Sequence, residues 1–166
     1  VVASSGGHCE DCAIAKAHRQ PRIREPIPRH TKVLDIVYSD VVGPMETSSV
    51  GGFRFAVSFF DSFSRYAMVF FMKDKSESLS CFQAFCIDVG VPRALRTDGG
   101  GEYTSGVLAE FCRKRQIQRQ LTSPHSSFQN PIAERYWRTL RTRGGAALSA
   151  SGLPPSFWAE ALEYAN

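Results

Sequence analysis

An α/β fold, with a mixed five-stranded sheet flanked by helices, is what this sequence predicts, on three observations. Apolar, β-branched and aromatic runs fill residues 33–72 with only short turns between them. Beyond them, apolar residues recur at intervals of three and four and alternate with short strand-like pieces. At 166 residues and 43% hydrophobic content, the chain is about one domain's worth, with enough apolar side chain for a sizeable core and too much for a disordered polymer.

The elements follow in order. Residues 1–30 are polar, cationic and punctuated by Pro21, Pro26 and Pro28, and they read as a tail or linker. VLDIVYSDVV is apolar enough for a central strand. GFRFAVSFF alternates, with Phe53, Phe55, Val57 and Phe59 on one face, and YAMVFFM makes a third strand. Gly51-Gly52 and the stretch from Asp61 to Arg65 are short turns, so the three strands are expected to form a meander. Asp74 or Ser76 can cap a first helix, whose stripe is Leu79, Phe82, Phe85, Cys86 and Val89 and which closes at Gly90 before Pro92. RALRTD is short enough for a fourth strand. Thr104 or Ser105 opens a second helix with Val107, Leu108, Phe111 and Cys112 on one stripe, and IQRQLT supplies the fifth strand. Asn130 caps a third helix with Pro131 at its first position; Ile132, Ala133, Tyr136, Trp137 and Leu140 are its buried face, and Gly144-Gly145 are expected to end it. LPPSFWAEALEYAN begins a last helix, with Phe157, Trp158, Ala161, Leu162 and Tyr164 as its apolar positions.

Composition narrows the function classes. No apolar run approaches the ~18 residues of a membrane span, so no membrane partner is expected. Five cysteines at uneven spacing do not make a secreted disulfide framework, and a reducing, intracellular compartment is expected. The net charge of +4 hides an uneven distribution: residues 14–32 carry +5 and residues 113–143 carry +7, while residues 33–112 carry −4. An acidic centre between basic segments suits an anionic polymer held around a cation-binding site, although two solubilising faces would give the same counts.

Three acids stand where a plain core would avoid them. Asp40 interrupts an apolar strand, Asp98 ends ALRT before three glycines, and Glu134 lies one turn into the third helix. Strand ends and a first helical turn can converge on one sheet edge. Ionised carboxylates brought together repel one another unless a divalent cation neutralises them. Mg²⁺ prefers a few carboxylates, waters and phosphate oxygens, so such a cluster suits phosphodiester chemistry. Glu134, Arg138 and Arg141 are spaced by four and three, which places an acid and two guanidinium groups on one stripe, either for DNA phosphates or as a surface ion pair.

The words around these acids, SDVVGPM, FDSFSRY, LRTDGGGEYTS, SPHSSFQNPIAERYWRTL and LPPSFWAEALEYA, come in an order that resembles the integrase region of the polyprotein of copia-type long-terminal-repeat retrotransposons. The resemblance runs from about residue 31 to residue 166, and the 35 residues between Asp98 and Glu134 equal the family's separation of its last two catalytic acids. It implies a ribonuclease-H-like catalytic core over 31–166 in which Asp40, Asp98 and Glu134 bind two Mg²⁺ or Mn²⁺ ions. Those ions would serve 3′-end processing of double-stranded element DNA and its transfer into target DNA. It further implies a homo-oligomer in the active complex, acting in the nucleus after residence in a cytoplasmic particle. Two positions depart from the family: Gly99 stands where Asn is usual, and Pro131 where Gly is usual. A catalytically decayed DNA-binding remnant, or a nuclease of the same fold, is the rival reading.

Gln129 and Asn130 are amides suited to phosphate or base contact, although Asn130 is equally explained as a helix cap. Asp61 and Arg65 repeat in the family pattern, and a turn-fixing ion pair is the expected role. Cys9 and Cys12 are half of a tetrahedral zinc site. In the related proteins a His, His, Cys, Cys unit precedes the catalytic domain, and residues 1–30 resemble the tail of that unit plus a basic linker. Zn²⁺ is therefore expected only in a longer protein, unless His8, His18 or His30 substitutes. A zinc-ribbon interaction module is a third reading. Both ends are expected to be cut from a longer polyprotein, with the core truncated at its C-terminus.

Overall fold

The computed structural model describes residues 31–122 and 131–166. Cys9, Cys12, the linker histidines, Gln129 and Asn130 lie outside the described residues.

Five strands form one sheet: β1 (Ile36–Val42), β2 (Phe55–Asp61), β3 (Ala67–Met72), β4 (Ala94–Thr97) and β5 (Gln118–Leu121), in the order β3-β2-β1-β4-β5. The first three are antiparallel neighbours, as the short turns require, and β4 and β5 run parallel to β1. Parallel neighbours need crossovers. Helix α1 (Ser78–Asp88) leads back to β4, and α2 (Gly106–Lys114) leads from β4 to β5. Helices α3 (Pro131–Ser151) and α4 (Trp158–Ala165) complete the expected mixed sheet flanked by helices.

Each sheet face has its own core. On one, Val37, Val57, Phe59 and Leu95 meet Phe82, Phe85, Leu108 and Cys112 of α1 and α2. On the other, Ile36, Tyr38, Val42, Ala56 and Phe60 meet Ala133, Trp137 and Leu140 of α3 and Leu162 of α4. Strand β2 is thus buried on both faces, where its alternation predicts one; Ala56, Ser58 and Phe60, expected outward, are covered by helices. The free cysteines Cys81, Cys86 and Cys112 sit at the first core, and burial pushes the Cys81 and Cys86 thiols up to about 11, so they remain protonated.

Capping follows side-chain chemistry. Asp74 opens a short 3₁₀ turn, Lys75–Glu77, immediately before α1. Its carboxylate accepts from the Ser76 amide at 2.9 Å, and the Glu77 carboxylate accepts from the Asp74 amide at 3.1 Å. Ser105 caps α2 through the Leu108 amide. Two expected core positions are corrected. Val107 is 67% exposed, because the α2 stripe centres on Leu108 and Cys112, one turn apart. Tyr164 is 83% exposed, because α4 packs through Ala159 and Leu162.

A larger correction concerns Gly144-Gly145, which do not end α3; the helix runs on to Ser151. A Cβ on Gly144 would stand 3.1 Å from both the Ala161 carbonyl oxygen and Leu162 Cδ2, so this glycine lets α4 approach the α3 backbone. Nothing lies within 4 Å of a Cβ on Gly145. The neighbours are therefore expected to respond oppositely to substitution. Gly145→Ala should stabilise by about 1 kcal/mol through helix propensity. Gly144→Leu should destabilise by about 1–3 kcal/mol through overpacking. Urea unfolding of the two variants checks both signs.

Candidate active site

Strand β1 sets the first acid. Along it Tyr38, Asp40 and Val42 point to one face, the one that α3 covers, and Asp40 is left half-buried opposite Ser58 of β2. Parallel pairing of β1 with β4 matches Tyr38 to Arg96. Asp98 lies two residues beyond Arg96, as Asp40 lies two beyond Tyr38, so it follows the end of β4 on the strand next to Asp40, although it is not among the residues that line the open cleft at Asp40. Glu134 stands in the first turn of α3. Asp40, Val42, Glu134, Trp137, Arg138, Arg141 and Thr142 line one open cleft of about 390 Å³.

Electrostatics tie the three acids together. Burial, and then the negative charges of Asp98 and Glu134, push the Asp40 carboxyl up to about 6, while the Val41 amide and Arg141 pull it down. Burial also raises Glu134, against Arg138. Among the described residues, no three His, Cys, Asp or Glu side chains stand close enough to ligate one ion together. The acids form a shared negative field rather than a closed ligand shell. That fits a hard dication such as Mg²⁺, which takes one or two carboxylates and fills its remaining positions with water and phosphate oxygens.

The loop after β4 is held from both sides. Asp98 Oδ1 accepts from the Gly100 amide at 3.0 Å, turning the chain into a single helical turn, Gly101–Thr104. A Cβ on Gly100 would stand 2.9 Å from the Glu102 carboxyl and 3.0 Å from Asp98 Oδ1, whereas one on Gly99 would meet only the Thr122 carbonyl oxygen, at 3.9 Å. A side chain at 100 would thus displace the Glu102 and Asp98 carboxyl groups, while one at 99 would find room. Buried Tyr103 shares a 2.6 Å hydrogen bond with Ser39, the residue before Asp40, and its carbonyl accepts from Arg119 at 2.5 Å. Burial holds the Tyr103 phenol well above its ordinary pKa, so it stays neutral. Sequence reasoning misses Tyr103; the available signal is an aromatic inside the polar, glycine-rich stretch GGGEYTS.

Of the expected DNA contacts, Arg138 and Arg141 line the cleft and are exposed, with Arg135 and Arg143 exposed on the same helix. Gln129 and Asn130 lie outside the described residues. Asp61 fixes its turn, which the Arg65 amide closes by donating to the Asp61 carbonyl at 3.0 Å, but among the described residues no Asp61–Arg65 ion pair forms. Fully buried, Asp61 accepts from the Leu34 amide, the Ser64 amide and the Ser64 hydroxyl at 2.6–3.0 Å. No helix among the described residues is long and apolar enough to cross a membrane.

Comparison with known proteins gives a consistent picture. The integrase core domain family matches residues 30–127. The retrovirus-related Pol polyprotein from transposon TNT 1-94 of Nicotiana tabacum is 38% identical over 162 residues, covering 95% of this chain and 12% of the relative. The corresponding polyprotein from transposon RE2 of Arabidopsis thaliana is 30% identical over 165 residues, covering 95% of this chain and 11% of the relative. The chain thus spans about an eighth of these curated relatives. Among solved structures, the simian T-cell lymphotropic virus intasome in complex with PP2A regulatory subunit B56 gamma has a chain that superposes with a TM-score of 0.73 at 22% identity, covering 90% of this chain and 52% of that one. The HTLV-2 integrase catalytic core domain in complex with magnesium, in its trimeric form, superposes with a TM-score of 0.60 at 21% identity, covering 78% and 80%. The fold is that of retroviral integrase catalytic cores, which is ribonuclease-H-like.

Proposed function

Because the chain belongs to the integrase core domain family, we propose that it is the catalytic core of a retroelement integrase, a polynucleotidyl transferase that trims the 3′ ends of double-stranded element DNA and joins them to target DNA. The observation that carries the reading is that Asp40 and Glu134 line one open cleft with Arg138 and Arg141, while burial and then the charges of Asp98 and Glu134 push the Asp40 carboxyl up. An acid cluster with too little positive charge of its own is prepared for an external cation.

Asp40, Asp98 and Glu134 are the catalytic residues in this proposal and would hold two Mg²⁺ or Mn²⁺ ions. Such a pair supplies activation of the attacking oxygen and stabilisation of the leaving oxygen when bound. The HTLV-2 relative solved with magnesium supports that cofactor. Arg138 and Arg141 orient the DNA by its phosphates, without base readout, since guanidinium groups on an open cleft meet any sequence. The dimeric and trimeric forms solved for the HTLV-2 core, and the simian virus intasome, support a homo-oligomeric active complex. The reaction would take place in the nucleus, where target DNA lies.

The test supplies the chain with a preprocessed 3′ end, target DNA and Mn²⁺ or Mg²⁺. Joined products are expected, while cleavage without joining would indicate a nuclease of the same fold. DNA binding with no cation binding would indicate a decayed remnant. Binding should also weaken steeply with salt. Arg138→Gln and Arg141→Gln should each reduce the slope of log affinity against log salt by about 1, uniformly across DNA sequences. Fluorescence anisotropy at several salt concentrations measures it.

A further inference from the structure

A directional contact joins the helix that carries Glu134 to the strand that carries Asp40. The Trp137 indole Nε1–H donates to the backbone carbonyl of Asp40 at 3.3 Å. Trp137 is 2% exposed and lies three residues after Glu134, so both side chains face the same cleft. Around it the contact between α3 and this end of the sheet has an apolar part, in which Trp137 and Leu140 pack on Val42 and Ala56.

Apolar packing is non-directional, and it tolerates a small slide or roll of a helix over a sheet. A shift of one helical residue moves Glu134 by about 1.5 Å along the helix axis, enough to spoil a shared coordination geometry. A hydrogen bond between a fixed indole and a fixed strand carbonyl resists such a shift, because it weakens steeply with distance and angle. Its acceptor belongs to the same residue as one proposed ligand, and its donor stands one turn from another.

We propose that Trp137 is a positioning residue whose indole N–H sets the separation of Asp40 and Glu134, and with it the cation affinity of the cleft. The proposal deepens the integrase reading and rests on it. Trp158 provides an internal control, because its indole N–H donates to the Thr47 carbonyl at 2.9 Å, and it does not line the cleft. Replacing either indole by phenyl removes one such bond and keeps an aromatic ring.

The experiment measures Mn²⁺ binding by calorimetry for the full chain, Trp137→Phe and Trp158→Phe, with thermal unfolding alongside. Trp137→Phe is expected to weaken Mn²⁺ binding by about tenfold or more, the scale of losing a group that orients a metal ligand. It should also lower kcat for strand transfer while leaving the KM for DNA unchanged, and Trp158→Phe should leave Mn²⁺ affinity unchanged. Equal Mn²⁺ affinity in all three proteins, or equal weakening in both variants, would overturn the proposal.

Should Trp137→Phe not fold, the unsubstituted chain decides. In ¹H–¹⁵N spectra the Trp137 indole resonance should move on Mg²⁺ titration while the Trp158 resonance stays, and a Trp137 resonance that ignores saturating Mg²⁺ overturns the idea. If the unsubstituted chain binds neither cation, the integrase reading itself fails, which is a different result.

Discussion

Replacing Asp40 by Asn is expected to abolish strand transfer and, at the same time, to make the metal-free protein more stable. An amide keeps the shape of the carboxylate but loses the charge that a dication needs, so the loss should be about 10³-fold or more, the scale seen when one electrostatic group is removed from such a site. The gain in stability comes from the same charge. Burial, Asp98 and Glu134 raise the Asp40 carboxyl from 3.8 to about 6, so above pH 6 the fold holds an anion it disfavours. Between those values the native state binds more protons than the unfolded chain, and the Asp40 contribution to stability falls as pH rises. The full difference is about 3 kcal/mol at neutral pH and should vanish below pH 4. Thermal unfolding of both proteins at pH 3.5 and pH 7.5 without metal measures it. Mg²⁺ should then stabilise the unsubstituted protein and leave Asp40→Asn unmoved. Equal melting temperatures at neutral pH would remove the electrostatic account of the site.

Phe59→Ala, on the neighbouring strand, is expected to act in the opposite direction. Phe59 faces Ser39 across the β1–β2 pairing and is 1% exposed. Its ring lies 5.3 Å from those of Phe82 and Phe85 on α1 and 5.8 Å from that of Phe70 on β3. Truncation removes the ring from the centre of three partners and leaves a cavity, at a cost of about 3–5 kcal/mol. That is a large share of the stability of a domain this size. Urea unfolding should show the midpoint collapse. Any activity lost should return in conditions that restore folding, which Asp40→Asn would not show.

The mixed sheet was legible because its signals are local. The runs VLDIVYSDVV, GFRFAVSFF and YAMVFFM form three antiparallel strands, and Asp74 and Ser105 act as helix caps. Failures came where a residue's meaning depends on a distant neighbour. Gly144 carries the usual mark of a helix end, yet its missing side chain serves α4, a partner that local pattern cannot display. Ala56, Ser58 and Phe60 look like the outward positions of β2 until helices arrive from more than 70 residues further on. At the candidate site, the words around Asp40, Asp98 and Glu134 mark these acids out in the sequence. Their electrostatic coupling, and the contacts of Tyr103 with Ser39 and of Trp137 with Asp40, exist only after folding.

Helix α3 has 21 residues, a rod of about 30 Å, with the proposed third acid in its first turn and Gly144 pressed against α4 about two-thirds of the way along. A stiff rod held at one point transmits tilt to its tip as a lever does. A side chain forced in at Gly144 would therefore steer the carboxylate of Glu134, about 15 Å away along the helix, and mistune the chemistry without touching a reacting atom.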